Sequence, residues 1–266
     1  MLKKFFLTII LIINFSVFVF GQERLIMIGG GERTSDVLTR LAEWTGDEKS
    51  KILVITWASG VPVESFEAFK ADFEKVSKIE LVNAPIRPLD EAAKVRFLQQ
   101  LKEANGVFFT GGDQNRVMEI LQDETLLKAL QEKYKSGTVF AGTSAGAAIM
   151  SPLMITGEGD FTVIDGAKVE TKNGLGFLPE VIVDQHFIKR QRQNRLIGLI
   201  IKNPKLLGIG IDEDTAFAVR DNRFAEVIGN SGVMVFDARK SVNPMNMFYL
   251  KNGEKFDLKK RKIVLK

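Results

Sequence analysis

Short apolar runs alternate with amphipathic segments through the first half of the chain. Each run ends in glycine or polar residues, which is typical of a buried strand. The runs lie at residues 24–28, 51–56, 79–82, 105–110 and 138–141. The segments between them have apolar residues at helical spacing, as in Phe66, Phe69 and Phe73. Because strands that alternate with helices form parallel sheets covered on both faces, the pattern predicts an α/β fold with a mostly parallel sheet.

The second half of the chain changes this alternation. Runs at 181–183 and 206–211 still predict strands, and a basic helix carrying Arg190, Arg192 and Arg195 is expected between them. Later alternating runs predict antiparallel strands at 216–220, 225–228 and 233–236. The pair Asn252-Gly253, between runs at 247–250 and 255–258, indicates a type I′ hairpin. The basic tail at 259–262 is expected to be a solvated edge, with a nucleic-acid patch as the weaker alternative.

The N-terminal residues 1–21 have the composition of a secretory signal peptide. Lys3 and Lys4 precede an apolar run from Phe5 to Phe20, and Val19-Phe20-Gly21 matches the spacing of a cleavage site. We expect cleavage before Gln22 and export to the periplasm or the extracellular space, with an uncleaved membrane anchor as the alternative. No linker or repeat divides residues 22–266, which are expected to form one domain without membrane contact.

Composition excludes several kinds of chemistry. The chain has no cysteine, so disulfides, thiolate metal sites and cysteine nucleophiles are excluded. Of its 37 basic residues two lie in the signal peptide, which has no acid, so 35 remain against 33 acidic residues. That near balance does not favour a nucleic-acid partner. The chain has one histidine and no HExxH motif, so neither a catalytic metal nor another cofactor is expected.

A serine between two glycines marks the best candidate for chemistry. Gly142-Thr143-Ser144-Ala145-Gly146 follows one apolar run and opens another. This strand, turn and helix pattern is typical of a nucleophile elbow, which exposes the serine hydroxyl at the carboxyl end of a strand. The amides at the start of the following helix suit an oxyanion. A plain βα turn that uses small residues for space is the alternative.

The single histidine limits how that serine can be activated. If an imidazole acts as its base, His186 must supply it, and His186 follows a predicted strand as Ser144 does. An acid that orients His186 is less well defined. Asp212, Glu213 and Asp214 follow a later strand, and Glu158 and Asp160 lie between serine and histidine as the α/β-hydrolase order requires.

Three motifs together resemble the cyanophycinases, a serine peptidase family that also includes aspartyl dipeptidase. The motifs are residues 109–114, residues 142–147, and residues 184–187 followed by three arginines. The resemblance implies a flavodoxin-like three-layer sandwich related to class I glutamine amidotransferases, with additional C-terminal antiparallel strands. It also implies hydrolysis of cyanophycin, a polyaspartate with arginine on each side-chain carboxyl, to β-Asp-Arg dipeptides.

The resemblance assigns expected roles to individual residues. Ser144 would be the nucleophile, His186 the base and Glu213 the acid, with the amides of Gly112 and Ala145 as the oxyanion hole. The expected substrate-binding residues are Gln114, Asp184, Gln185, Arg190, Arg192 and Arg195. By helical spacing the three arginines do not share one face, so we expect at least one to be structural.

The expected partner is a peptide or a cyanophycin-like polymer, and a homodimer is left open. Three other functions also stay open at this point. They are an exported peptidase for other isoaspartyl or acidic peptides, an esterase that uses the same elbow, and a non-catalytic binding protein on the same fold.

Overall fold

The computed structural model describes residues 22–265, so the signal peptide predicted for residues 1–21 lies outside the described part of the chain. The strands are β1 (Arg24–Ile28), β2 (Lys51–Ile55), β3 (Glu80–Asn83), β4 (Gly106–Phe109), β5 (Val139–Thr143), β6 (Leu153–Gly159), β7 (Val169–Asn173), β8 (Val181–Gln185), β9 (Leu207–Ile211), β10 (Thr215–Arg220), β11 (Phe224–Gly229), β12 (Gly232–Asp237), β13 (Asn246–Lys251), β14 (Lys255–Asp257) and β15 (Lys262–Val264). The helices are α1 (Ser35–Thr45), α2 (Pro62–Phe73), α3 (Glu91–Glu103), α4 (Gln114–Ile120), α5 (Glu124–Lys135), α6 (Ala145–Ala148) and α7 (Gln193–Lys202).

A nine-stranded central sheet organises the molecule. Its order is β15-β14-β11-β10-β1-β5-β4-β2-β3. The strands from β1 to β3 in that order are parallel, and β10, β11, β14 and β15 continue the sheet with antiparallel pairs. The predicted α/β class, with a mostly parallel sheet and C-terminal antiparallel strands, is therefore confirmed.

Helices cover both faces of the parallel strands. One face packs against α1 and α2, where Phe69 and Phe73 of the predicted apolar stripe are fully buried. The other face packs against α3 and α5 and against a second sheet. The chain between β4 and β5 forms two helices, α4 and α5, and Asp123 begins the second by accepting a hydrogen bond from the amide of Thr125.

A second, four-stranded sheet lies beside the first and has the order β13-β12-β9-β8. Strands β8 and β9 are parallel to each other, but they do not extend the central sheet. The isoleucines of β9 face the main core, while Gly208 and Gly210 leave room for α7 and Phe187. A Cβ on Gly210 would lie 2.3 Å from the Phe187 ring. Both faces of β9 are thus buried, and a continuous apolar run does not reveal which sheet it joins.

Of two predictions for the C-terminal part, one is wrong and the other holds except at one residue. The turn at Asn252-Gly253 does not close a hairpin, because β13 pairs with β12 and β14 pairs with β11. The turn instead carries the chain from the second sheet to the central one. The tail at 259–262 is a solvated edge at its three lysines, which are exposed and lead into the outermost strand β15. Arg261 is the exception, because it is buried and donates to Asp237 at 2.6 Å and to the carbonyl of Lys205 at 2.6 Å.

No helix within residues 22–265 combines the length and the apolar character needed to cross a membrane.

Candidate active site

Ser144 occupies a strained turn between β5 and α6, as the elbow pattern predicted. Its backbone has φ 53° and ψ −111°, and its amide donates to the carbonyl of Ile28 at 2.9 Å. The flanking glycines are required by space: a Cβ on Gly142 would lie 2.4 Å from the carbonyl oxygen of Gly146. A Cβ on Gly146 would lie 2.4 Å from the carbonyl oxygen of Phe109. Helix α6 is only one turn long, so the amide of Ala145 itself, rather than a long helix dipole, is available to an oxyanion.

His186 joins Ser144 from the end of β8 in the second sheet. Its amide donates to the carbonyl of Gly29 at 2.7 Å, which ties the end of β8 to the end of β1. The Nε2 atom of its ring lies 2.9 Å from Ser144 Oγ. Its Nδ1 atom lies 2.6 Å from Glu213 Oε1. The side chains of Ser144, His186 and Glu213 therefore form a continuous hydrogen-bonded chain, the arrangement that activates a serine hydroxyl.

The three adjacent carboxylates after β9 have separate tasks. Residues 212–214 cross from the second sheet to the central sheet between β9 and β10. Asp212 accepts from the amides of Ile188 and Lys189 at 3.0 and 2.9 Å and from the Ser231 hydroxyl. Asp214 accepts from the amide of Glu32 at 2.6 Å. Only Glu213 of the three reaches the imidazole, and it is the acid that the resemblance to the family implied.

The other two candidate acids lie on the β6–β7 hairpin. Asp160 accepts from the Thr162 hydroxyl at 2.6 Å and pairs with Lys168. Glu158 lines the cleft beside Ser144 but forms no hydrogen bond with His186. In α/β-hydrolases the acid precedes the histidine in the sequence. Here the acid that contacts His186 is Glu213, which follows it.

Three glycines after β1 support this site, a role that the sequence did not indicate. A Cβ on Gly30 would lie 2.2 Å from His186 Cε1, and one on Gly29 would lie 2.1 Å from the carbonyl oxygen of Asp212. A Cβ on Gly31 would lie 2.2 Å from Asp214 Oδ1. Local sequence indicates only a tight turn for these three glycines. The residues that these glycines contact lie far away along the chain. The only feature of the sequence that could have indicated their role was their position at the end of a strand that neighbours β5.

The predicted oxyanion residues lie next to the serine. A Cβ on Gly111 would lie 3.4 Å from Ser144 Cβ, so the Gly111-Gly112 turn packs directly against the elbow. Gly112 has φ +137°, and a Cβ there would lie 2.1 Å from the carbonyl oxygen of Ala58. Only glycine fits that position. The structure thus places Gly112 in the same cleft as Ser144, and Ala145 directly follows Ser144 in the chain.

A cleft of about 240 Å³ opens beside Ser144. Its lining residues are Gly112, Asp113, Gln114, Asn115, Ser144, Thr156, Gly157, Glu158, Gln185, Arg190, Arg192 and Arg195. They include every residue predicted to bind substrate except Asp184. A larger cavity of about 490 Å³ lies at the amino ends of β8 and β9, at the opposite end from His186. Chemistry rather than size therefore identifies the smaller cleft as the candidate site.

The three arginines differ in their surroundings. Helix α7 begins at Gln193, so Arg190 and Arg192 precede it, and the expectation that one helix carries all three is wrong because Gln191 turns the chain with φ 51°. Arg195 is buried and holds both carboxylate oxygens of Asp184, with its Nε 2.7 Å from Oδ2. Asp184 is 1% exposed and lies beneath the cleft. This buried pair fits the expectation that at least one arginine is structural.

Arg190 and Arg192 remain directed to the cleft. Arg192 donates to the backbone and side-chain oxygens of Gln185, both at 2.8 Å. Burial, and next the neighbouring Arg195, lower the pKa of Arg192 to about 10, which leaves its guanidinium cationic at neutral pH. The side chain of Arg190 is 53% exposed and its Nε lies 3.9 Å from Glu213 Oε1. Two guanidinium groups thus face the cleft beside the serine.

The environment of His186 favours a neutral imidazole. Burial lowers its pKa below the ordinary 6.5, and Arg190 and Arg192 act in the same direction, while Glu213 opposes them. A neutral imidazole is the form that can accept a proton from Ser144. The residues that the structure describes, 22–265, contain no group of three or more His, Cys, Asp or Glu side chains placed to bind a metal ion.

Replacing Glu213 with glutamine is expected to lower kcat by roughly 10³- to 10⁴-fold with little change in KM. The amide would keep the shape of the side chain but would no longer stabilise an imidazolium with a negative charge. Steady-state kinetics of the purified variant provide the measurement.

Two neighbouring acids serve as controls for Glu213. In Asp212→Asn the side chain keeps an oxygen that can accept hydrogen bonds from the backbone amides. In Glu158→Gln the changed side chain lines the cleft but does not contact the imidazole. Both variants are therefore expected to retain most of kcat. A loss of kcat in Glu158→Gln as large as that in Glu213→Gln would contradict the assignment of the acid.

Comparison with known proteins identifies several relatives. The model of peptidase family S51 matches residues 25–227. A cyanophycinase from Trichormus variabilis is 32% identical over 260 residues, which cover 90% of this chain and 87% of that protein. A cyanophycinase from Geminocystis herdmanii is 33% identical over 222 residues, which cover 82% of each chain. A peptidase E from Actinobacillus pleuropneumoniae is 24% identical and covers 76% of this chain and 86% of that protein. These matches confirm the similarity that the three motifs indicated.

Solved structures show the same fold. The crystal structure of a peptidase from an acI-B1 Actinobacterium superposes with a TM-score of 0.66 and 23% sequence identity, covering 90% of this chain and 97% of that one. A putative peptidase E from Listeria monocytogenes gives a TM-score of 0.57 and 18% identity, covering 79% of this chain and all of the other.

Proposed function

Because the chain belongs to peptidase family S51 and is a serine-type peptidase, we propose that it hydrolyses cyanophycin to β-Asp-Arg dipeptides through Ser144, His186 and Glu213. The observation that carries this proposal is the hydrogen-bonded chain of these three side chains at the edge of a cleft faced by two arginines. A hydrolase of this kind needs an activated nucleophile and a pocket whose charge suits its substrate.

In this proposal the reaction proceeds in two steps. Ser144 Oγ attacks the carbonyl carbon of the scissile amide while His186 Nε2 takes its proton, and the amides of Gly112 and Ala145 stabilise the oxyanion. His186 then gives the proton to the leaving amine as the C–N bond breaks, which leaves an acyl group on Ser144. Water, activated by His186, hydrolyses that ester and restores the serine. Glu213 orients the imidazole and stabilises its protonated form.

The pocket residues divide into those that contact substrate and those that support them. We assign carboxylates of the substrate to Arg190 and Arg192, since a guanidinium binds a carboxylate through two parallel hydrogen bonds. Asp184 was predicted to bind substrate, but its burial and its pairing with Arg195 favour a supporting role in which the pair holds the floor of the cleft. Gln185 positions Arg192.

Arg192→Gln is expected to raise KM for a β-aspartyl peptide by about tenfold and KM for a neutral ester by less than twofold, because only the peptide has a carboxylate for the guanidinium to bind. Steady-state kinetics with both substrates measure the difference. Arg239→Gln, an exposed change beyond β12 and away from the cleft, is the matched control.

Equal increases in KM for both substrates would mean that Arg192 supports the fold rather than the ligand. Replacing Arg195 is expected to give such equal increases, because its side chain supports the fold. Its removal would break the two-point pair with the buried Asp184 carboxylate, which would keep only the amide of Gln185 and the more distant Arg192 guanidinium. Breaking a buried ion pair typically costs about 3–5 kcal/mol of stability.

The proposed function is tested by incubating the purified enzyme with cyanophycin and identifying the products by mass spectrometry. Release of β-Asp-Arg dipeptides is the expected result. Cleavage of other isoaspartyl peptides without release of β-Asp-Arg from cyanophycin would instead support the alternative substrate class.

A further inference from the structure

The cleft beside Ser144 has acidic as well as basic walls. Arg190 and Arg192 face it from the segment after β8, and Glu158 faces it from the β6–β7 hairpin. Building on the proposed function, we infer that Glu158 is a specificity-determining residue that binds a cationic guanidinium side chain of the substrate. No part of the proposed reaction uses this carboxylate.

The hairpin that carries Glu158 is held against the floor of the active site. Both amide hydrogens of Gln114 are used there, one by the carbonyl of Ile155 at 2.8 Å and one by the carbonyl of Thr156 at 2.9 Å. The side chain of Asn115 also donates to the carbonyl of Thr156 at 3.3 Å. Gln114, which was expected to bind substrate, therefore anchors the strand from which Glu158 projects.

The backbone around Glu158 departs from regular pairing. The register of β6 and β7 shifts between Ile155 and Gly159. Gly157 and Gly159 have φ +107° and +132°, values that side chains rarely permit. The amide of Glu158 donates to the Thr156 hydroxyl at 3.3 Å, which fixes the residue within this irregular segment. Such bulges re-aim a side chain, and here the residue that they present lines the cleft.

Glu158 also differs from its acidic neighbours in having no partner. Asp160 pairs with Lys168, and Glu170 pairs with Lys172 on the same hairpin. Asp113, the other acid of the cleft, accepts from Asn115 and pairs with Arg116. Within the part of the chain that the structure describes, the Glu158 carboxylate neither forms an ion pair nor accepts a hydrogen bond. It is free to receive a cation.

A ligand that complements this cleft has both charges. Its carboxylate would meet the arginines and its cationic side chain would meet Glu158, with the scissile carbonyl at Ser144 between them. A chain of β-Asp-Arg units has that character, because each unit carries a guanidinium and the free α-carboxylate of its arginine. The opposed charges also suppress binding of a purely acidic peptide, which Glu158 would repel.

The test compares a charged ligand with a neutral one of the same shape. The ligand is a peptide of two β-Asp-Arg units joined through the aspartate backbone, and its analogue has citrulline in place of each arginine. Binding is measured by calorimetry to the Ser144→Ala protein, so the measurement does not depend on turnover. The same titrations use Ser144→Ala/Glu158→Gln and, as a charge-matched control, Ser144→Ala/Glu119→Gln, since Glu119 is exposed on α4 and does not line the cleft.

We expect the arginine peptide to bind about tenfold more tightly than the citrulline peptide in the Ser144→Ala protein and in the Glu119 control. In the Glu158 variant that preference should fall to about twofold or less. An unchanged preference in the Glu158 variant, an equal affinity for both peptides in the Ser144→Ala protein, or no binding of either peptide would overturn the inference.

Hydrolysis of the same peptide by the protein with Ser144 intact is measured separately. If the peptide is cleaved but Glu158→Gln leaves the preference for arginine intact, the inference fails and the proposed function stands. If the preference depends on Glu158 but the peptide is not cleaved, the inference stands and the proposed function fails.

Discussion

Replacing Ser144 with alanine is expected to lower kcat by roughly 10⁵- to 10⁶-fold, because it removes the atom that forms the acyl-enzyme. The oxyanion amides and the cleft would remain, so substrate should still bind with a similar Kd. The rate of β-Asp-Arg release from cyanophycin by the purified variant is the measurement. Ser35→Ala, an exposed serine at the start of α1, is the control and should keep full activity.

The fold should survive the loss of Ser144. The side-chain hydroxyl contacts His186 but makes no cap for α6, and the positive φ strains alanine no more than serine. The thermal midpoint of Ser144→Ala should therefore stay within a few degrees of the wild type, about the shift caused by 1 kcal/mol or less. Substantial peptidase activity in a folded Ser144→Ala protein would exclude this serine as the nucleophile.

Replacing His186 with alanine is expected to have an effect of similar size, roughly 10⁵-fold on kcat, since the base of a triad and its nucleophile act as a unit. No second histidine exists in the chain to substitute for it. Loss of the ring would also leave Glu213 without its partner and open space above Gly30. Pre-steady-state measurement of acylation would locate the loss in the first chemical step.

The same histidine predicts the pH dependence of kcat/KM. Only the neutral imidazole accepts the serine proton, so activity falls as the pH drops through the pKa of His186. Burial and the two arginines lower that pKa, so the neutral form persists to more acidic pH than for a free histidine. The acidic limb of the profile should have its midpoint below 6.5 and should disappear in the residual activity of His186→Ala. A midpoint clearly above 6.5 would contradict the described environment of the ring.

Local sequence was sufficient to predict the parallel part of the fold. The strands β1, β2, β4 and β5 and their helices follow from apolar periodicity and from the glycines at strand ends. The division into two sheets could not be predicted in this way, because β9 is apolar on both faces and Asn252-Gly253 has the same local signal whichever strands it joins. Sheet membership depends on contacts between distant segments.

The candidate site shows the same limit. Ser144 was found from its elbow and His186 from being the single histidine. The residues alone left several acids open, and only the resemblance to the family selected Glu213. The glycines at 29–31 and the anchoring role of Gln114 were missed, because their partners lie far away along the chain. The burial of Arg261 was missed, and the sequence could not tell which of the three arginines near His186 would be buried, since a carboxylate partner decides whether an arginine can be buried.

The central claim is that Ser144 is the activated nucleophile of a peptidase, and its most direct test is covalent labelling with a fluorophosphonate. After reaction with the intact enzyme, mass spectrometry should find a single adduct on the peptide that contains Ser144, and the Ser144→Ala and His186→Ala proteins should show no labelling at the same exposure. Labelling at another serine, or no adduct in a folded wild-type enzyme, would contradict the account.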